Sequence, residues 1–185
     1  MILIYIHAIL AIMEARGLYL TFSEGRWKIF VYYTQISNAV SLASSLLLLV
    51  LGQNAFVSSV RYLACCMLVF TFFVCLLVLW PMGANPKMLF LEGHSIYHHL
   101  LCPVLSTLSY IFFEEHARKF MVPVSVAVTL CYGFTMIYLN AVRKLDGPYP
   151  FFRVHDQSKL ATVLWMIVLA LAAGVLFTLI RLAAG

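Results

Sequence analysis

Hydrophobic residues follow one another in six long runs that are separated by short polar breaks. Each run has about 20 residues, the length that an α-helix needs to cross the hydrocarbon core of a bilayer. Turn-forming residues fill the breaks, as in Gly52-Gln53-Asn54 and in Pro81 to Pro86. The pattern predicts an all-α fold, a polytopic integral membrane bundle of six transmembrane helices in one domain over residues 1–185. The predicted spans are Ile2–Phe22, Phe30–Leu51, Val57–Trp80, His94–Phe113, Phe120–Val142 and Leu160–Leu182.

Polar residues interrupt the second run at helical spacing. Thr34, Asn38, Ser41 and Ser45 lie at offsets of four, seven and eleven, so they share one face of a helix. Such a stripe must face a protein interior or a water-filled cavity, because hydrocarbon offers no hydrogen-bond partners. The stripe is also typical of residues that only join neighbouring helices.

Composition and charge agree with a membrane location. Hydrophobic residues make up 64% of the chain and charged residues 10%, against about 45–50% and about 25% in soluble domains. The net charge of +5 comes from basic residues scattered at helix ends, so we expect contact with lipid head groups and no nucleic-acid partner. Eight Lys and Arg flank the odd-numbered connections and four the others, which predicts that the odd-numbered connections are cytoplasmic.

Titratable residues in the fourth run raise the possibility of catalysis. His98 and His99 lie near its start, and alternating spans bring them to the membrane face where the second run begins. A neighbouring imidazole can accept the proton of a threonine hydroxyl during nucleophilic attack, which makes Thr34 a candidate nucleophile. Because adjacent helical residues point about 100° apart, only one of the two histidines is expected to face the polar interior.

Supporting chemistry is available on the same membrane face. Asn38 lies one turn from Thr34 and could donate a hydrogen bond to an oxyanion. The fifth connection, with Asp146 to Tyr149, would cover both groups. The charged run from Glu114 to Lys119 is most simply a solvated turn.

Two other uses of these residues remain open. His94 and His98 have the i, i+4 spacing of metal ligands, but a third ligand would have to come from His7, Glu14 or Asp146. A haem between helices would also need an opposing ligand. In a different class altogether, a non-catalytic transporter or binding protein for a small molecule or lipid would use the polar stripe to hold its ligand.

Three short motifs resemble a known family. They are Phe30 to Asn38 (FVYYTQISN), His99 to Pro103 (HLLCP) and Gly147 to Phe151 (GPYPF). In this order they resemble the androgen-induced-gene family of membrane threonine hydrolases, whose animal members cleave fatty-acid esters of hydroxy fatty acids, and in particular the bacterial relatives of that family.

The resemblance implies an intramembrane hydrolase of a lipid ester, with Thr34 as nucleophile and His99 as base. His98 is the alternative base, since it would be the matching residue if the spacing to the proline were one residue longer. Tyr33, Asn38, Asp146 and Tyr149 are supporting candidates. We expect no cofactor and no metal, an acyl-chain lipid as substrate, and a bacterial cell membrane as the location; the oligomeric state stays open.

Overall fold

The computed structural model describes all 185 residues and contains helices without any β-strand. Two of the long helices are extended at one end by a π-helical segment, and short 3₁₀ turns precede α2 and α7. The α-helices are α1 (Ile2–Gly25), α2 (Tyr33–Leu51), α3 (Ala55–Val74), α4 (Pro86–Phe90), α5 (Cys102–Phe113), α6 (Met121–Ala141) and α7 (Lys159–Ala184). The π-helical segments are Cys75–Leu79 after α3 and Tyr97–Leu101 before α5.

Five of the helices are long and apolar enough to cross a membrane, whereas the sequence predicts six. The helix that falls short is the one predicted over His94–Phe113. It consists of five π-helical residues and twelve α-helical residues, or about 25 Å at the rise of an α-helix. The all-helical membrane bundle is therefore confirmed, and the number of crossings stands at five by length and composition.

Local capping explains where the helices begin and end. The Asn54 side chain accepts hydrogen bonds from the backbone N–H groups of Phe56 and Val57, both at 3.1 Å, and starts α3. Gly52 ends α2 with a φ of 66°, a conformation that favours glycine. Ser158 caps α7 by accepting from the N–H of Ala161 at 3.1 Å.

The start of α2 differs from the prediction in a way that affects the site. A 3₁₀ helix spans Arg26–Val31, and Tyr32 adopts an extended conformation, so the α-helix begins at Tyr33. Thr34 consequently lies in the first turn of α2. The backbone N–H groups of a first turn have no partner within their own helix, and they are free to bind other groups.

The long connection before α7 is held by buried side chains. Phe151 and Phe152 are each only 3% exposed. The Asn140 side chain at the end of α6 donates to the carbonyl of Leu145 and accepts from the N–H of Val154, at 3.0 and 2.8 Å. A Cβ atom at Gly147 would lie 2.7 Å from the backbone carbon of Phe152, so only glycine fits this close approach. The loop is thus an ordered cover over one end of the bundle.

Candidate active site

Thr34 lies at the end of the bundle that the late loop covers. Its hydroxyl Oγ1 and its backbone N–H each lie 3.4 Å from the hydroxyl of Tyr149. The preceding N–H, of Tyr33, donates to the hydroxyl of Tyr132 at 3.1 Å. Two tyrosines from other parts of the chain therefore complete the first turn of α2, and they hold Thr34 at a fixed place.

A cavity of about 440 Å³ opens beside Thr34. We call it the polar cavity. It brings together Thr34, His99 and Tyr149, as well as His94 and Gln35. Three of the residues predicted for the site thus share one cavity, although the first and the last of them, Thr34 and Tyr149, are 115 positions apart in sequence.

The hydrogen bonding of His99 leaves one ring nitrogen available. Nδ1 lies 2.6 Å from the carbonyl oxygen of Leu89. A carbonyl only accepts hydrogen bonds, so Nδ1 carries the proton and the other nitrogen, Nε2, is an acceptor. No hydrogen bond joins His99 to Thr34, and such contacts commonly tighten only when substrate binds. Nε2 of His99 is therefore able to accept a hydrogen bond.

His98 does not line the polar cavity, and its ring contacts α1 instead. Its ring is fully buried, and Nε2 lies 3.0 Å from the hydroxyl of Thr21 on α1. The ring lies directly against Gly17, where an added Cβ would come within 2.8 Å of its Cε1 atom. His98 thus packs the π-helical segment before α5 against α1, while its neighbour His99 lines the cavity.

Tyr33 and Asn38 lie close to Thr34 but do not line the polar cavity. The hydroxyl of Tyr33 lies 2.8 Å from that of Thr129 on α6. The side-chain amide of Asn38 donates to the backbone carbonyl of Thr34 at 2.8 Å, and Ser37 donates to the same carbonyl at 2.9 Å. Asn38 is fully buried, so its amide acts on the helix backbone at Thr34 and not on the cavity.

The late loop contributes Tyr149 to the site but not Asp146. Asp146 is exposed and lies beside a different cavity, with Arg153, His155 and Asp156. Burial raises the pKa of Tyr149 to about 12, although its hydrogen bonds with Thr34 act in the opposite direction. The Tyr149 hydroxyl therefore keeps its proton at neutral pH and can donate it in a hydrogen bond.

Several residues that position the site were not predicted. Tyr132 and Thr129 are polar groups three residues apart in a mostly apolar helix, and that spacing was a usable signal. By contrast, Leu89 acts on His99 through its backbone carbonyl. Because every residue has a carbonyl, no sequence pattern could have identified it.

A second buried polar cluster lies at the opposite end of the bundle. Arg61 of α3 donates to both carboxylate oxygens of Glu114, each at 2.9 Å, and the Glu114 carboxylate accepts from Nε2 of His7 at 3.1 Å. We call this cluster the Arg61 network, and its members are His7, Ser44, Ser45, Arg61, Ser106, Ser109 and Glu114. The prediction that Glu114 belongs to a solvated turn is wrong, because Arg61 draws its carboxylate into the bundle.

The side chains considered as metal ligands do not converge. The rings of His94 and His98 lie with their centroids 5.7 Å apart and are tilted by 54° to each other. His7 belongs to the Arg61 network and Asp146 to the outer cavity, so neither reaches them. Indeed, no group of three His, Cys, Asp or Glu side chains forms a possible metal site.

Comparison of the chain with protein-family models, with curated proteins and with solved structures yields no match. The assignment of the chain to the membrane proteins is therefore based on its apolar helices.

Proposed function

We propose that this protein hydrolyses a lipid ester within the membrane, with Thr34 as nucleophile and His99 as general base. The observation that carries the proposal is that both residues line the polar cavity while Nε2 of His99 is left without a proton by its neighbour Leu89. The same two residues match the Thr and His motifs of the androgen-induced-gene hydrolases, which the sequence resembles.

The reaction would take place in two stages. Thr34 Oγ1 attacks the ester carbonyl carbon as its proton passes to Nε2 of His99, and the resulting imidazolium returns a proton to the departing alcohol. An acyl group is left on Thr34. Water then gives a proton to His99 as it attacks the acyl-threonine, and the acid is released while Thr34 regains its proton from His99.

Tyr149 and the first turn of α2 would stabilise the oxyanion. The Thr34 backbone N–H donates to the Tyr149 hydroxyl oxygen at 3.4 Å, a distance longer than most hydrogen bonds of this kind, and the Tyr149 O–H proton is left to donate elsewhere. A carbonyl oxygen that becomes negative could draw on both donors and on the positive end of the α2 dipole. Asn38 would hold the Thr34 backbone in place during the reaction.

The proposal includes a sixth crossing by the helix from Tyr97 to Phe113. At one end of this helix His98 contacts Thr21, and just beyond its other end Glu114 contacts His7, so it runs beside α1 from His7 to Thr21. Six crossings place the polar cavity at the face with the odd-numbered connections. In a bacterial cell membrane this face would be cytoplasmic, and an acyl-chain substrate would arrive from the bilayer.

Covalent labelling tests the nucleophile directly. Purified protein in detergent is treated with a fluorophosphonate probe and analysed by intact mass. We expect one adduct on the wild type, none on Thr34→Ala, and an adduct on Thr178→Ala, which removes the exposed hydroxyl of a residue on α7. A folded wild-type protein that takes no probe, or a Thr34→Ala variant that still takes it, would refute the proposal.

A non-catalytic binding or transport protein for a small molecule or lipid is the second candidate. It is favoured by the continuation of the polar stripe from Thr34 to Ser45, which reaches the opposite end of the bundle. Such a protein would bind an ester without consuming it. Release of free acid from an ester by the wild type, and its loss in Thr34→Ala, separates the two candidates.

A further inference from the structure

A second pocket adjoins the polar cavity. It lies on the side of α6 and α7, and twelve of its sixteen lining residues are hydrophobic. We call it the apolar pocket. Both spaces are bounded by Thr34, Tyr149, Cys75 and Leu79. The proposed nucleophile therefore lies between a pocket lined mainly by hydrophobic residues and a cavity in which seven of the fourteen lining residues are hydrophobic.

The two compartments differ greatly in size. The apolar pocket has a volume of about 40 Å³, whereas the polar cavity has about 440 Å³. On this measure a single water molecule needs about 10–15 Å³, so the apolar pocket has room for roughly three. Since a water molecule and a methylene group are similar in size, the pocket fits a few carbon atoms and not a long fatty-acyl chain.

Gly133 and the end of the Met166 side chain lie against each other in the wall of the apolar pocket. A Cβ atom at Gly133 would lie 3.2 Å from Cε of Met166 and 3.6 Å from the ring of Phe152. Phe70 and Phe151 form further parts of the wall, and both are well buried. Gly133 and Met166 therefore determine how far a chain can extend from Thr34.

The polar cavity is suited to the other half of an ester. Besides Thr34 and His99 it presents His94, Gln35 and Thr21. These groups can bind hydroxyl, carboxyl or head-group oxygens. Its base His99 lies on this side only, where it can protonate the departing alcohol oxygen.

From this division we infer that the substrate is a lipid ester with a short acyl chain, of roughly four carbon atoms, and with a larger lipid alcohol that carries oxygen groups. The acyl chain lies in the apolar pocket and the alcohol in the polar cavity. The inference rests on the proposed hydrolysis at Thr34 and adds to it a specificity for the length of the acyl chain.

A series of p-nitrophenyl esters from acetate to dodecanoate, presented in detergent micelles, tests the inference. We expect kcat/KM to be highest at butyrate and to fall about tenfold or more by dodecanoate, since each misplaced methylene group in an apolar pocket costs about tenfold or more. Gly133→Leu should favour acetate over butyrate. Met166→Ala should move the optimum to longer esters.

Leu171→Ala is the matched control for Met166→Ala, because it shortens an exposed apolar side chain on the same helix. We expect it to leave the chain-length profile unchanged. The inference is overturned if the wild type prefers dodecanoate, or if Gly133→Leu and Met166→Ala keep the wild-type profile while turnover still depends on Thr34. In that case the proposed hydrolysis survives.

Binding without chemistry separates the two possible failures. The same esters are added to Thr34→Ala, and the shift in its thermal unfolding midpoint is measured. If the wild type hydrolyses none of them and butyrate still stabilises Thr34→Ala more than dodecanoate does, the hydrolysis proposal falls and the short pocket stands. If Thr34→Ala shows no preference for butyrate, the short pocket falls.

Discussion

The two ends of the bundle both carry histidine, hydroxyl and acidic or phenolic groups, but they use them differently. In the Arg61 network the ionic and histidine contacts lie between 2.9 and 3.3 Å. At the other end the hydroxyl of Thr34 lies 3.4 Å from that of Tyr149, and Thr34, Tyr149 and His99 all line the polar cavity. At the first end the polar groups bind one another, whereas at the second end the polar groups border a cavity.

The Arg61 network even contains the sequence of groups found in serine hydrolases. Ser45 lies 3.3 Å from Nδ1 of His7, whose Nε2 donates to Glu114. Nevertheless Ser45 and His7 are fully buried, and Arg61 neutralises the carboxylate. A hydrogen-bonded Ser, His and carboxylate therefore do not make a site by themselves; an accessible cavity beside the nucleophile is also needed.

The largest effect is expected from Arg61→Leu. Removing the guanidinium leaves a buried carboxylate unpaired, which should lower the free energy of unfolding by about 3–5 kcal/mol. The measurement is thermal unfolding in detergent. A double variant with Arg61→Leu and Glu114→Leu should regain most of the loss, because two apolar residues replace an ion pair at little net cost. Equal instability of the single and double variants would contradict this structural role.

Replacement of His98 and of His99 in turn should distinguish a histidine that packs helices from one that takes part in ester turnover. His99→Ala should reduce ester turnover by about 10³-fold, within the range for a general base, with little change in the unfolding midpoint. His98→Ala should retain turnover and lose about 1–3 kcal/mol of stability, since it removes a buried side chain and its bond to Thr21. The reverse outcome would make His98 the base.

Tyr149→Phe tests the loose hydrogen bonding at the site. The ring stacks on Phe151 at 5.3 Å and should stay in place without its hydroxyl. We expect turnover to fall by about 10²-fold, as for loss of an oxyanion donor, with stability nearly unchanged. Tyr62→Phe is the control: it removes a buried hydroxyl that donates to the Phe177 carbonyl, so it should affect stability and leave turnover alone. Unchanged turnover in Tyr149→Phe would remove this residue from the mechanism.

Acidification should weaken the Arg61 network at low pH. Burial favours the neutral form of Glu114, but the Arg61 charge and the hydrogen bonds from His7 and Arg61 outweigh it and lower the pKa of this carboxyl from 4.5 to about 2. A lowered pKa contributes stability above the ordinary pKa, and that stability is lost as pH falls towards the folded value. The unfolding midpoint should thus drop between pH 4.5 and pH 2. Glu114→Gln should be less stable at neutral pH and should show a smaller drop.

Much of the architecture could be predicted from the chain alone. The apolar runs determined the helices, because every backbone polar group in lipid must find its partner within a helix. The offsets of the polar stripe determined which face of α2 is buried, and all four of its members are indeed buried. Membrane burial makes these patterns strong, since a misplaced polar residue has nothing to bind.

Only the tertiary structure decided how the polar residues divide into two ends. Thr34 and Ser45 belong to one stripe, yet Tyr149 meets the first and His7 the second. Likewise, the backbone carbonyl of Leu89 distinguishes His99 from His98, and Arg61 turns Glu114 inward. These contacts join residues that are distant in sequence or act through the backbone. Helical periodicity shows which face of a helix is polar, but the partner on that face depends on how the helices pack.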